Sequence, residues 1–183
     1  MPRAFIAIPC PENLKNDMLE IQKKIRDMGG FKFVERENIH LTLKFLGNVE
    51  DEAIEKIKNE LKFLSEIGKF HISLRGIGAF PSLNYIRVVW IGVEEDGILR
   101  EIQRKIDNRL NKFGFKAENR FHPHFTIARA RFISDKNNLM KFITENKDKW
   151  FGEFTVDRIE LMESKLSHKG PKYYVLYEFK LKC

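Results

Sequence analysis

The chain has 183 residues, 43% hydrophobic and 32% charged, with 11 Gly and 6 Pro; this fits one compact unit or two small fused lobes and excludes collagen-like, low-complexity and disordered chains. No apolar run approaches the roughly 18 residues of a spanning helix, Met1 to Cys10 is too short for a signal peptide's hydrophobic region, and two cysteines, Cys10 and Cys183, are too few for a disulfide framework, so a soluble, cytoplasmic protein is expected. Lys and Arg total 33 against 26 Asp and Glu, leaving +7, a field that favours an anionic partner such as a nucleic acid or a phosphorylated metabolite.

Ala4 to Ile8 forms a short apolar strand. Leu14, Met18, Ile21, Ile25 and Met28 follow at helical spacing until Gly29-Gly30 stops the helix. HLTLKFLG alternates as a strand, Asp51 to Ser65 carries Ile54, Ile57, Leu61 and Leu64 on one helical face, and Phe70, Ile72 and Leu74 begin another strand. After a short linker around Pro81 to Asn84 the order recurs. Tyr85 to Val93 is a strand, Ile98 to Phe113 a helix ended by Gly114, Phe121 to Ala130 a strand, Asn138 to Asn146 the middle of a helix and Phe154 to Met162 a strand; Tyr173 to Leu181 adds a last strand.

The recurrence is also a repeat of sequence. Shifted by 84 residues, GFKFVERENIHLTL (Gly30 to Leu43) aligns without a gap on GFKAENRFHPHFTI (Gly114 to Ile127), with identity at Gly30/Gly114, Phe31/Phe115, Lys32/Lys116, Arg36/Arg120, His40/His124 and Thr42/Thr126. A duplicated unit of helices and strands implies an α+β fold. The expected architecture is one bilobal domain over 1–183 with two pseudo-symmetric lobes, each a small, mainly antiparallel sheet with helices on its outer face and an active-site groove between them. Lobe one would span about 3–80, lobe two about 85–164, and a C-terminal strand about 171–181.

Within a strand, His40 and Thr42 point one way and Leu41 and Leu43 the other, and His124 and Thr126 stand in the same relation to Phe125 and Ile127. A two-fold relation between the copies sets one imidazole on either side of a bound phosphorus. That suits phosphodiester cleavage, in which attacking and leaving oxygens lie in line: one histidine takes a proton and the other gives one, an unperturbed imidazole titrating near pH 6.5. Thr42 and Thr126 would donate to the non-bridging oxygens as charge builds there. The scheme needs neither metal nor cofactor. The competing readings are a non-catalytic RNA- or nucleotide-binding module using the same cleft, and a metal site built from His40, His122 and His124. Against the metal site, the position equivalent to His122 is Asn38, so the duplication replicates His-Thr and not a histidine cluster. His71 and His168 have no repeated partner and read as surface residues. Arg129 is a candidate RNA or phosphate contact, although it lies an odd number of residues from His124 and so nominally on the opposite face unless the strand bulges.

The paired motifs His40-Leu41-Thr42-Leu43 and His124-Phe125-Thr126-Ile127 resemble those of the two-histidine phosphoesterase superfamily. The opening Arg3 to Ile8, the Phe80-Pro81 turn, HPHFTIAR from His122 to Arg129, and Glu163-Ser164 before Gly170 and Tyr173 are similar to its LigT-like branch of RNA 2′,3′-cyclic phosphodiesterases, also called 2′-5′ RNA ligases. The resemblance implies metal-independent hydrolysis of RNA 2′,3′-cyclic phosphate ends to 2′-phosphates. In it His40 is the proton donor to the departing 3′-oxygen, His124 the proton acceptor from water, and Thr42 and Thr126 the phosphate holders. It also implies RNA as partner, a 2′-5′ ligation that would join ends such as tRNA halves, no membrane, and a monomer.

Overall fold

The structure, a computed structural model, describes residues 1–183. In chain order it forms β1 (Arg3–Pro9), α1 (Glu12–Ile25), β2 (Gly29–Phe33), β3 (His40–Asn48), α2 (Asp51–Glu60), β4 (Phe70–Ser82), β5 (Tyr85–Glu94), α3 (Ile98–Leu110), β6 (His124–Ile133), α4 (Lys136–Glu145), β7 (Trp150–Val156), β8 (Arg158–Ser167) and β9 (Gly170–Lys180). The apolar stripes lie where the periodicity sets them: α1 buries Leu14, Met18, Ile21 and Ile25, and α3 buries Leu99, Ile102, Ile106 and Leu110. Each such side chain contributes about 1.5–3 kcal/mol by leaving water. No helix is long and apolar enough to cross a membrane.

Gly114 ends its helix as expected, at φ 90°, where only glycine avoids strain. Gly29 and Gly30 do not act this way. The α-helix stops at Ile25, a single 3₁₀ turn follows, and the two glycines open β2 in extended backbone. A Cβ at Gly30 would collide with the Phe132 ring, which lies across it from β6. The strand expected from Phe154 to Met162 is two strands broken at Asp157, where the chain passes from pairing with β4 to pairing with β1.

The strands form one curled sheet in the order β7-β4-β5-β6-β3-β1-β8-β9, with β2 added to β6. One lobe is β7, β4, β5, β6 and β2, against which α1 and α4 pack; the other is β3, β1, β8 and β9, covered by α3, α2 and the 3₁₀ segment after α2. The lobes are therefore not the successive halves of the chain, and the expected spans of about 3–80 and 85–164 are corrected. β4, from the first half, pairs with β5 and β7 of the second, while β8 returns to pair with β1. Helices exchange too, α1 packing on β6 and β7, and α3 on β3. Pro81 to Asn84 is not an interlobe linker. Pro81 and Ser82 end β4, and Ser82 faces Tyr85 across a tight hairpin. The exchange leaves a single hydrophobic core running through both lobes.

The two copies meet where β3 and β6 touch, at the pair Leu41 and Phe125, whose positions differ by the repeat offset of 84. The pseudo-two-fold axis passes beside this pair. Both residues are fully buried, so the flanking His-Thr pairs are held on either side of the axis by packed core.

Candidate active site

A cavity of about 340 Å³ opens over the β3–β6 junction on the face away from the helices, and His40, Thr42, His124 and Thr126 all line it. Their alternation partners Leu41, Leu43, Phe125 and Ile127 are at most 2% exposed, so strand parity orients all four polar side chains into the cleft.

Each imidazole is locked in the same way. His40 Nδ1–H donates to the carbonyl of Asn38 at 2.5 Å and His124 Nδ1–H to that of His122 at 2.6 Å. Since a carbonyl only accepts, the proton must sit on Nδ1 and Nε2 is left free for proton transfer. Asn38 is itself tied down by donating Nδ2–H to the Pro171 carbonyl of β9 at 2.9 Å. Around His40 the Phe5 ring stacks at 5.0 Å and the Tyr173 ring stands edge-on at 5.0 Å; Phe80 stands edge-on to His124 at 5.0 Å. These rings exclude water from one side of each imidazole. Burial accordingly draws His40 down to about 4, and lowers His124 as well, against the weaker opposing effect of the carbonyl bonds. Both are neutral in the free protein at pH 7, so the charged acid expected from an unperturbed imidazole is not preformed. Burial also raises Tyr173, whose hydroxyl keeps its proton.

Arg129 faces the cavity, and the parity argument against it fails for a visible reason. In the β5–β6 ladder Val89 pairs with Ala128 and Trp90 with Thr126, so Ile127 is an extra residue. Ile127 and Ala128 are both buried, and the bulge returns Arg129 to the face of His124 and Thr126. The other copy bulges at the same place, Ile6 pairing with Lys44 and Ala7 with Thr42 around Leu43. There the emerging residue is Phe45, 71% exposed and also lining the cavity. The duplication thus presents a guanidinium on one side and a ring on the other. Arg129 has no ion-pair or hydrogen-bond partner of its own, and its charge adds to the lowering of His40 and His124 and works against the rise that burial gives Tyr173.

The chain matches the LigT like phosphoesterase family twice, over residues 8–90 and 91–173. It belongs to that family. This LigT-like phosphoesterase is 43% identical over 177 residues to the RNA 2′,3′-cyclic phosphodiesterase of Methanocaldococcus jannaschii, a match covering 97% of this chain and 99% of that one. It is 36% identical to the protein of the same name from Methanothermobacter thermautotrophicus, over 98% of each. In three dimensions it is similar to the crystal structure of a Thermus thermophilus protein, at TM-score 0.83 and 28% identity with 97% of each chain covered. It shares its fold with Escherichia coli LigT crystallised with 3′-AMP, at TM-score 0.81 and 24% identity, covering 100% of this chain and 99% of that one.

His122 lines the cavity, but no three His, Cys, Asp or Glu side chains are grouped as metal ligands, so the His40, His122 and His124 set does not converge. His71 sits at the surface on Thr155 and Glu153, and His168 is exposed. Residues that sequence reasoning missed are the Asn38 and His122 carbonyls, the Phe5 ring and Phe45. Three of these four fall in pairs at the repeat offset, Asn38 with His122 and Phe45 with Arg129. Their columns are not identical, so identity alone passed over them.

Proposed function

We propose that the chain hydrolyses RNA 2′,3′-cyclic phosphate ends to 2′-phosphomonoesters. His40 donates the proton to the departing 3′-oxygen and His124 takes one from the attacking water, the water oxygen bonding to phosphorus as the bond to the 3′-oxygen breaks. The observation that carries this reading is the pair of imidazoles in one cleft, each with Nδ1–H tied to the carbonyl two residues before it and Nε2 free. The full-length relatives named for this activity support it. Thr42 and Thr126 bond the non-bridging oxygens, and Arg129 supplies positive charge where the phosphorane builds negative charge. Phe45, exposed at the cavity wall, takes the face of the terminal base. With an RNA 5′-hydroxyl in place of water the same transfers join two ends, such as tRNA halves, through a 2′-5′ bond. A cytoplasmic location suits two free cysteines, one of them buried.

The assignment of His40 as donor and His124 as acceptor is the one the family resemblance implies; once charged, a ring drawn down to about 4 is a strong acid towards a poor leaving group such as a ribose oxygen. The sign of the pH dependence follows. Productive free enzyme needs His40 charged and His124 neutral; both rings take up protons as pH falls below 6.5, so this form is most populated between their two titrations. We expect kcat/KM to peak on the acid side of pH 6.5. A bound phosphate anion stabilises both imidazoliums, so kcat should peak at higher pH than kcat/KM. Initial rates across pH 4 to 9 check this, and a kcat/KM optimum above pH 7 contradicts it.

Incubation with an oligonucleotide bearing a cyclic phosphate end, with end-group analysis of the product, tests the reaction; a binding module would retain the RNA unchanged. Turnover is expected to persist in excess chelator, since every step is assigned to a side chain, and loss on chelation reversed by added metal would refute the assignment.

A further inference from the structure

A second cavity of about 270 Å³ lies further along β5 and β6, lined by Tyr85, Arg87, Arg131, Phe132 and Lys136 among others, with no acidic side chain. The route to it runs along β6. Beyond Arg129 the strand has another irregularity, Gly30 pairing with Phe132 and Phe31 with Ala130, so that Arg131 is extra. This brings Arg131 and Phe132 out together, both exposed. Phe132 and Tyr85 are 61% and 55% exposed, far more than rings of this size need be. The Arg87 guanidinium lies 4.7 Å from the Tyr85 ring, donates Nε–H to its hydroxyl at 2.7 Å and donates Nη1–H to the Arg131 carbonyl at 2.9 Å, so Tyr85 is held rigid. None of Arg87, Arg131 and Lys136 is paired with a carboxylate. At a rise of about 3.3 Å per residue, and allowing for the two bulges on β6, Arg131 lies roughly 17–20 Å from His124 along the strand.

We propose that this basic, aromatic cavity is a subsite for the single-stranded body of the RNA whose cyclic phosphate occupies the cleft. Unpaired cations track the phosphates, and Tyr85 and Phe132 stack a base some nucleotides on the 5′ side of the end. The chemistry is that of sequence-tolerant single-strand binding, in which every base has a stackable face and every linkage a charge. The subsite rests on the reading of the first cleft as the place of the RNA end. It adds to that reading a preference for long substrates over a cyclic mononucleotide, which cannot span both cavities.

The test uses the double variant Arg131→Ala/Lys136→Ala, with neither residue in the catalytic cleft. Two substrates are compared, 2′,3′-cyclic AMP and an oligoribonucleotide of roughly 12 nucleotides with a cyclic phosphate end, a length within the usual span of such sites. Anisotropy of the same oligonucleotide with a 3′-hydroxyl end gives binding without turnover. The wild type is expected to show lower KM on the oligonucleotide. The variant should lose about tenfold in oligonucleotide affinity and kcat/KM, keep its rate on 2′,3′-cyclic AMP, and show a salt dependence of binding shallower by about 1.4 log units per log unit of salt, for two cations on a single strand. Equal KM for the two substrates in the wild type, unchanged oligonucleotide affinity in the variant, or an equal loss on both substrates would each overturn the subsite. If the wild type turns over neither substrate while its RNA affinity still depends on Arg131 and Lys136, the hydrolytic reading fails and the subsite stands.

Discussion

Replacing His40 or His124 by Ala is expected to lower kcat on a 2′,3′-cyclic phosphate by about 10²–10⁴ each, the usual worth of one positioned acid or base. The double variant should fall little further, because donor and acceptor serve one in-line displacement and losing either stops the relay. Ala also removes a ring that packs on Phe5 and Tyr173, or on Phe80, so the matching Asn variants are the cleaner probe. Asn places an amide N–H where Nδ1–H bonds the carbonyl of Asn38 or His122, and it has nothing at Nε2. Loss in both Ala and Asn variants, with unchanged unfolding midpoints, locates the effect in proton transfer. The two roles separate on an aryl phosphodiester, whose leaving group departs without a proton. There the His40 variants should recover most of their rate and the His124 variants should not. More than a tenth of wild-type kcat on the cyclic phosphate in any of these single variants would end the two-histidine account, and recovery in the His124 variants instead would reverse the roles.

What the sequence exposed and what it hid divide along one physical line. Local pattern, with period 2 or 3.6, marks which faces are apolar, and it located the helices, most strands and the inward side of His40 and Thr42. The repeat then raised His124 and Thr126 from two ordinary strand residues to half of a symmetric pair. Pairing partners leave no such trace. Nothing in the alternation of Phe70, Ile72 and Leu74 says that β4 belongs with β5 and β7, nor does that of Ile159 and Leu161 say that β8 lies against β1. The exchange of strands between the halves is therefore not legible in local pattern, which marks only successive similar units. The bulges had a signature, adjacent buried residues at Leu43-Lys44 and Ile127-Ala128. A lysine in one pair and an alanine in the other masked it. Parity alone therefore leaves Arg129 nominally off the cleft face unless the strand bulges, and gives no signal for Phe45.

Lys44, two residues beyond Thr42, is a charge drawn into the interior beside the first motif. It is 7% exposed and ion-paired to Asp107 of α3, itself 3% exposed. Lys44 Nζ donates also to the Lys116 carbonyl at 2.8 Å, while Asp107 accepts from Gln103 Nε2 at 2.9 Å and from the Glu118 backbone N–H at 2.8 Å. The pair thus pins the segment between Gly114 and His124, which supplies Glu118, Arg120 and Phe121 to the cleft wall. Asp107→Ala leaves a buried ammonium without its counter-charge and frees the Glu118 N–H, and is expected to destabilise by about 3–5 kcal/mol. With a urea dependence of about 2 kcal/mol per M, the unfolding midpoint falls by roughly 2 M. Because desolvating two charges offsets most of their attraction, Lys44→Met/Asp107→Leu should recover much of the loss, the coupling showing as strong non-additivity in the double-mutant cycle. The recovered protein remains without the anchor for Lys116 and Glu118, so it should fold well and still bind substrate poorly. An Asp107→Ala midpoint within a few tenths of a molar of wild type would mean that the pair bears no load, and normal KM in the apolar double variant would mean that the pinned segment does not shape the cleft.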